Sequence, residues 1–473
     1  MASSCPFHAV VDRAFGIDAA GVPAEPGARK DFPLMPVGTA LDMGHAPDGT
    51  PLFDPRIFTT LEFQRNPYPY YRILRDHHPV FHDRLSNAYY LTRYDDITAA
   101  YLDDLGFNTI PKGSSSGVLG NTQLELSGIE HRRRRNVYGR HLVGLALEKR
   151  KPYIERLANE LIDAWGLDGS SGTIELARSF ANEFPIRVVC QVLGIPDDGR
   201  DRFFYWYSSM MNGLGGSDTA QQGREARQDL EDYVAELVEQ RRKQPTFLYD
   251  EAGASIGKDI ISELCATEID GDVMSTEEIT SNIALVVGGG GETTRGAILN
   301  MWYLLLQHPE QFAAVRADES LWDAAFHETL RHSTSIGGQP RQTTFDVTLH
   351  GVTIPAGSLV HCVDVSANHD DRIFAEPESF DIFRPDLYSG KLLRSGYAKE
   401  GRFSHMAFGV GPHLCPGAWI SHQESVIGSM VLSRRLRDVR ITVEQMPKDI
   451  DGTSLAPIGL GSIRNLWLDV ELA

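Results

Sequence analysis

The sequence predicts a mainly α-helical fold, an α-rich α+β architecture, and three observations carry that expectation. Apolar residues recur at helical spacing through most of the 473 residues. Short β-like runs gather in only two places, so strands are few and separated. Composition is that of an ordinary globular chain, 42% hydrophobic and 23% charged, and no run of about 18 apolar residues offers a membrane span.

The elements follow in order. The N-terminal stretch is rich in Pro, Gly and Ala, so 1–55 reads as a partly irregular leader and 56–473 as the folded domain. Helices are predicted over 66–76 and 94–102, on either side of a β-like run at 79–91. Further helices are predicted over 131–153, 154–165, 180–193 and 218–244. The aromatic run Phe203-Phe204-Tyr205-Trp206-Tyr207 either belongs to a helix core or covers a ligand pocket. The longest helix spans 276–308. Ser275 and Glu278 have the spacing of a capping box, and Pro309 stands just past the end. A helix of about 32 residues is roughly 48 Å long, enough to cross a domain. Four successive glycines, Gly288 to Gly291, interrupt it. Each costs about 1 kcal/mol against alanine in a helix interior, so something must approach closely there. A helix over 321–331 follows. Next come a hairpin over 346–354, turning at His350-Gly351, and a strand over 359–365; a helix over 418–436 is the last element predicted.

Charge and cysteine content narrow the function. A net charge of −19 argues against nucleic acid as a partner. Five scattered cysteines, an odd number, do not form a disulfide framework and fit a reducing cytoplasm. The N-terminus has no basic-then-apolar signal pattern, so a soluble, cytoplasmic protein without a membrane anchor is expected.

The most informative stretch is Phe408-Gly409-Val410-Gly411-Pro412-His413-Leu414-Cys415-Pro416-Gly417. A cysteine just before a helix has its thiolate favoured by free backbone N–H groups and the helix dipole. Glycines let the backbone turn sharply and approach a flat ligand. Pro416 suits the first position of the helix. An apolar loop presenting one thiolate is what a haem iron needs on one side. A buried structural cysteine is the bland alternative, and the register of Phe408, Gly409, Gly411, His413, Cys415 and Gly417 argues against it.

This stretch resembles the cysteine-ligand loop of the cytochrome P-450 superfamily, the haem-thiolate monooxygenases. The resemblance implies one large helical domain with a small β-rich lobe, and b-type haem (heme b, iron protoporphyrin IX) ligated by Cys415. Gly289-Gly290-Gly291-Glu292-Thr293 resembles the family's central-helix signature, which has alanine more often where Gly289 stands. There Thr293 would be the alcohol near the iron and Glu292 the acid relaying protons. The glycines would leave room for haem and oxygen and let the helix ladder open locally. Glu328 and Arg331 match the family's Glu-x-x-Arg motif, with Arg384 as the third member of a buried network. His131, Arg135, Arg341 and His413 are the implied partners of the haem propionates. Ser335 occupies a place where the family often has proline.

The resemblance further implies O2 as co-substrate and two electrons from a ferredoxin and an NAD(P)H-dependent ferredoxin reductase. No flavin or iron–sulfur motif is fused to the chain, so that donor is external. It would be steered to Arg132, Arg133, Arg134 and Arg140. The implied pocket segments (110–126, 210–214, 283–290, 334–339 and 457–463) are mainly apolar, small or hydroxylic. They suggest a small, mostly apolar substrate such as a terpenoid, an aromatic compound or a secondary-metabolite intermediate. A monomer is expected. A peroxide-dependent haem-thiolate enzyme and a non-catalytic haem-binding sensor are the rival readings.

Overall fold

The computed structural model describes residues 43–473, apart from 61, 64–65, 110–118, 120–121, 168–169, 197–199, 215–216, 250–251, 254, 270, 388–401 and 443–462. Most of the leader, and the pocket segments at 110–118 and 457–462, therefore lie outside the described residues. Residues 43–54 carry one bridge, between His45 and Pro51.

The central helix, Thr276–Gln307, organises the larger core. Its start is the predicted capping box: Ser275 Oγ accepts from the Glu278 N–H at 3.1 Å, and Glu278 accepts from the Ser275 N–H at 2.9 Å. Around it lie Phe184–Leu193, Arg200–Leu214, Ser217–Lys243, Leu321–His332 and Ala418–Arg435. Their apolar faces form one continuous buried cluster with Phe180, Phe184, Trp206, Trp302 and Trp322 at its heart. The aromatic run at 203–207 falls in the helix Arg200–Leu214, with every member but Tyr205 buried.

A smaller, strand-rich part sits to one side. Its sheet has the order Val80–Asp83, Ala88–Leu91, Leu359–Cys362, Gln339–Thr343, Phe107–Asn108. Leu359–Cys362 runs parallel to Ala88–Leu91 and antiparallel to Gln339–Thr343. The hairpin Val347–Leu349/Val352–Ile354 turns at His350 and Gly351, both with positive φ (49° and 77°), as a two-residue turn of that kind requires. A three-stranded antiparallel sheet joins Leu436–Ile441, Trp467–Leu472 and Ser171–Glu175. Among the described residues no helix is long and apolar enough to cross a membrane.

Several expectations need correction. The helix expected over 131–153 is broken into Gly128–Gly139, a 3-10 turn at Arg140–Leu142, and Gly144–Glu148, before Lys151–Asp163 begins. Val143 is extended and Gly144 has φ +63°, a left-handed conformation no helix interior tolerates. The predicted strand over 359–365 ends at Cys362, where a helical turn, Asp364–Ala367, takes over. Pro416 is not in the first turn of the last long helix, which starts at Ala418 with Gly417 as its N-cap. The central helix runs unbroken through its glycines, so the expected local opening is absent.

Those glycines divide their work. A Cβ on Gly290 would lie 2.6 Å from Val189, and one on Gly291 would lie 2.6 Å from Ile186 and 2.7 Å from the Tyr207 ring. Both permit close approach of neighbouring helices. A Cβ on Gly289 would meet nothing within 4 Å. Gly289 keeps open space as the sequence suggested. Gly291→Ala should therefore overpack the helix junction and cost about 1–3 kcal/mol. Gly289→Ala should gain up to about 1 kcal/mol from helix propensity. Urea unfolding midpoints of the two variants, shifting in opposite directions from wild type, check this.

Candidate haem-binding site

The Cys415 loop is shaped by its own backbone. The Cys415 N–H donates to the Phe408 carbonyl at 2.8 Å and the Gly409 N–H to the Met406 carbonyl at 2.7 Å. Gly409 turns with φ +65°. The Ala418 N–H donates to the Cys415 carbonyl at 3.3 Å, which holds the sulfur close to the helix start. The Phe408 ring stacks on Phe326, with centroids 6.3 Å apart. Cys415 is a free thiol. Burial pushes it up from the ordinary thiol range, against the Gly417 N–H, the Arg135 charge and the Ala418 N–H, which favour the thiolate. The helix start alone thus does not ionise the sulfur. A metal cation at the sulfur would.

Beside this loop the structure brings together the four residues the sequence nominated. His131 and His413 stack with ring centroids 3.9 Å apart. Arg135 donates to the Leu414 carbonyl, next to Cys415. Arg341 is buried, donates to the Pro340 carbonyl at 2.9 Å and covers the Tyr101 ring at 4.7 Å. Tyr101 in turn donates to Asp364 at 2.7 Å. Burial, then the Arg135 charge, holds His131 down to about 4; burial, then His131 and Arg341, holds His413 down to about 3. His131 Nδ1 and His413 Nε2 are buried without a hydrogen-bond partner, with Asp104 Oδ2 3.9 Å from His413 Nε2. Two unsatisfied imidazole nitrogens between two guanidinium groups fit the carboxylates of an anionic ligand. With the neighbouring thiol, they fit haem.

The Glu328–Arg331–Arg384 network is present and fully buried. Arg331 donates all five of its N–H groups: to Glu328 at 2.7 and 2.8 Å, and to the carbonyls of Asn368, Pro377 and Ser379 at 3.0, 2.7 and 2.9 Å. Glu328 also accepts from Arg384 at 3.3 Å and from the Asp381 N–H at 2.9 Å. The link to the cysteine loop runs through Asn368, whose Oδ1 accepts from the Met406 N–H at 2.7 Å.

The distal pair is placed less simply. Thr293 donates to the Gly289 carbonyl at 2.7 Å. Glu292 pairs with Arg295 at 2.7 Å, and Tyr207 donates to it at 3.4 Å. Arg295 is itself fixed by Asn182 at 2.6 Å. Sequence reasoning missed Arg295, Tyr207 and Asn182; an Arg three residues after Glu292 was the one available signal. Thr294 donates to Ser421 at 3.0 Å, tying the central helix to the helix after the cysteine. Ser335 donates to the Thr293 carbonyl at 2.9 Å, a bond that proline in its place could not make.

The model of the family described as Cytochrome P450 matches residues 207–463, more than half of the chain. The chain belongs to the cytochrome P450 family. It is 31% identical over 387 residues to the vitamin D(3) 25-hydroxylase of Pseudonocardia autotrophica, covering 80% of this chain and 87% of that one. Pulcherriminic acid synthase of Bacillus subtilis is 28% identical over 397 residues, covering 82% and 92%. Among solved structures, CYP109Q5 of Chondromyces apiculatus superposes with a TM-score of 0.72 at 28% identity, covering 87% of this chain and 97% of that one. The protein is a cytochrome P450 monooxygenase of bacterial type.

Two predictions follow from this geometry. Glu328→Ala leaves the buried Arg331 guanidinium without a carboxylate, while Arg384 keeps Asp386, a loss of about 3–5 kcal/mol. The expected outcome is protein without haem, read from the Soret-to-280-nm ratio of the purified variant. The second concerns acid. Burial, with a smaller push from the Arg331 charge, holds His332 and His405 down to about 3 and His369 well below the ordinary range. In the unfolded chain they protonate near 6.5. The unfolded state then binds more protons between about 6.5 and 3, so stability is full above pH 6.5 and falls as pH drops through that window. Urea midpoints measured from pH 7 to pH 4 should decline steadily; a flat profile would contradict the buried neutral imidazoles.

Proposed function

We propose that Cys415 ligates the iron of b-type haem and that His131, Arg135, Arg341 and His413 hold its propionates. With this cofactor the enzyme inserts one atom of O2 into a small, mostly apolar organic substrate. The convergence of these four side chains beside the Cys415 loop carries the reading. When bound, haem supplies oxygen activation; the chain supplies placement, protons and exclusion of water.

In this reading Gly289 keeps the central helix narrow over the reacting centre. Thr293 Oγ, held on the Gly289 carbonyl at 2.7 Å, would be the alcohol that offers a hydrogen bond beside the cofactor. Glu292 passes protons inward from its carboxylate, with Arg295 and Tyr207 fixing its two oxygens. Ser335 steadies the Thr293 backbone from the other side. Electrons come from an external ferredoxin and its reductase. Arg132 and Arg133 are exposed and would offer positive charge to an acidic donor; Arg134 pairs with Glu130 and Glu278 at 2.7 and 2.8 Å. The protein acts as a cytoplasmic monomer.

The test is the dithionite-reduced spectrum with and without carbon monoxide. A strongly red-shifted Soret band that is lost in Cys415→Ser is expected. A band at the histidine-ligated position would remove Cys415 as the ligand. Substrate-dependent NAD(P)H oxidation with added ferredoxin and reductase, at rates above those with peroxide, separates this reading from a peroxide-dependent enzyme and from a sensor.

A further inference from the structure

Behind the Cys415 loop lies a second set of ligand-type side chains, none of which serves the haem reading. Asp323 and His327 stand four residues apart, on one face of the helix Leu321–His332. His422 faces them from the helix Ala418–Arg435. One ligand atom from each lies within 4.8 Å of the others. His422 Nε2 is 2.6 Å from Asp323 Oδ1, and His327 Nε2 is 3.9 Å from the same oxygen. The rings of His327 and His422 are nearly parallel, 5.3 Å apart, and Phe326 packs edge-on against His422 at 5.1 Å.

We propose that Asp323, His327 and His422 form a binding site for a divalent transition metal of the zinc class. Two imidazoles and one carboxylate are a borderline nitrogen–oxygen set, suited to zinc, nickel or cobalt and poor for magnesium or calcium. Bonds of about 2.0–2.1 Å in a tetrahedron put neighbouring ligand atoms roughly 3.3 Å apart. One observed edge is shorter than this and another longer, so small side-chain rotations reach the geometry with the helices in place. The side chains of His422 and Asp323 are 22% and 28% exposed, so water can complete the fourth position.

A fourth residue orients the set. His405 Nε2 lies 3.2 Å from His327 Nδ1, so one ring donates to the other. With His327 as the donor, its Nε2 carries the lone pair and points toward Asp323. This is the arrangement in which a ligating histidine gives its other N–H to an outer partner. A metal here would cross-link the helix that bears Glu328 and Arg331 to the helix that begins just after Cys415.

The experiment uses haem-loaded protein freed of adventitious metal with a chelator and titrated with zinc alone by calorimetry. The bound form is then examined by zinc K-edge X-ray absorption. One zinc per chain is expected, with scattering from two imidazoles. His422→Ala and Asp323→Asn should each weaken binding by more than the roughly 10–100-fold that loss of an orienting partner costs, and His405→Gln should fall inside that range. The melting midpoint should rise with zinc in wild type but not in His422→Ala or Asp323→Asn at the same zinc concentration. A zinc shell lacking imidazole in the wild-type protein overturns the site, as does unchanged affinity in the His422 and Asp323 variants. So does the absence of saturable binding below about 1 mM. The wild-type absorption measurement decides the matter even if a variant fails to fold. None of these readouts depends on haem turnover.

Discussion

The structure depends on one buried ion network. Glu328, Arg331 and Arg384 lie where charge is costly, and they are held there because the two guanidinium groups share Glu328 and Arg384 also pairs with Asp386. Arg331 spends its five N–H groups on one carboxylate and three backbone carbonyls, so a single side chain fixes the positions of residues 368, 377 and 379. Asn368 then passes that order to Met406, whose carbonyl receives the Gly409 N–H at the turn that presents Cys415. The network is a device for geometry. Removing one member leaves a buried charge, which is why a site residue and a fold residue cannot be separated here.

The central helix shows a second constraint, this time steric. Gly290 and Gly291 let the helix Phe184–Leu193 and Tyr207 come against it, and this contact places the Tyr207 hydroxyl on Glu292. Glu292 is thereby shared between Arg295, which pairs with one of its oxygens, and Tyr207, which donates to the other. Thr293, one residue on, keeps its hydroxyl on the helix's own carbonyl and receives Ser335 at its backbone. Acid and alcohol are neighbours in sequence with separate supports in space.

Much of this was legible in the sequence because it is written in local chemistry. The capping box at Ser275 and Glu278 and the His350-Gly351 turn need only spacing to be read, whereas the Glu328–Arg331 pair was legible through the family motif. The loop at Cys415 and the four residues His131, Arg135, Arg341 and His413 were legible through family resemblance, since no spacing rule brings residues 131, 341 and 413 together. Local rules failed where one residue's conformation outweighed a pattern. Gly144 ended a helix whose apolar periodicity continued, and Pro416, suited to a first helical position, lies ahead of the Gly417 cap. The glycine run was misjudged in part, because its reason lay in Val189, Ile186 and Tyr207, far away in sequence. The partners of Glu292 and the imidazoles around Asp323 were illegible for the same reason.

The strand order of the larger sheet has a consequence for how the chain is made. Ala88–Leu91 has Val80–Asp83 on one side, but its other neighbour is Leu359–Cys362. That partner is synthesised about 270 residues later, which at roughly 5–20 residues per second is on the order of tens of seconds. Through that interval the hairpin waits with one edge unsatisfied, an invitation to wrong pairing. Nor can the early segments close over the cofactor loop by themselves: Tyr94 binds the backbone of Phe403, and Arg75 binds Ser366. A closed cofactor site therefore waits for the emergence of the last quarter of the chain, and the nascent hairpin is the segment a chaperone would have most reason to shield.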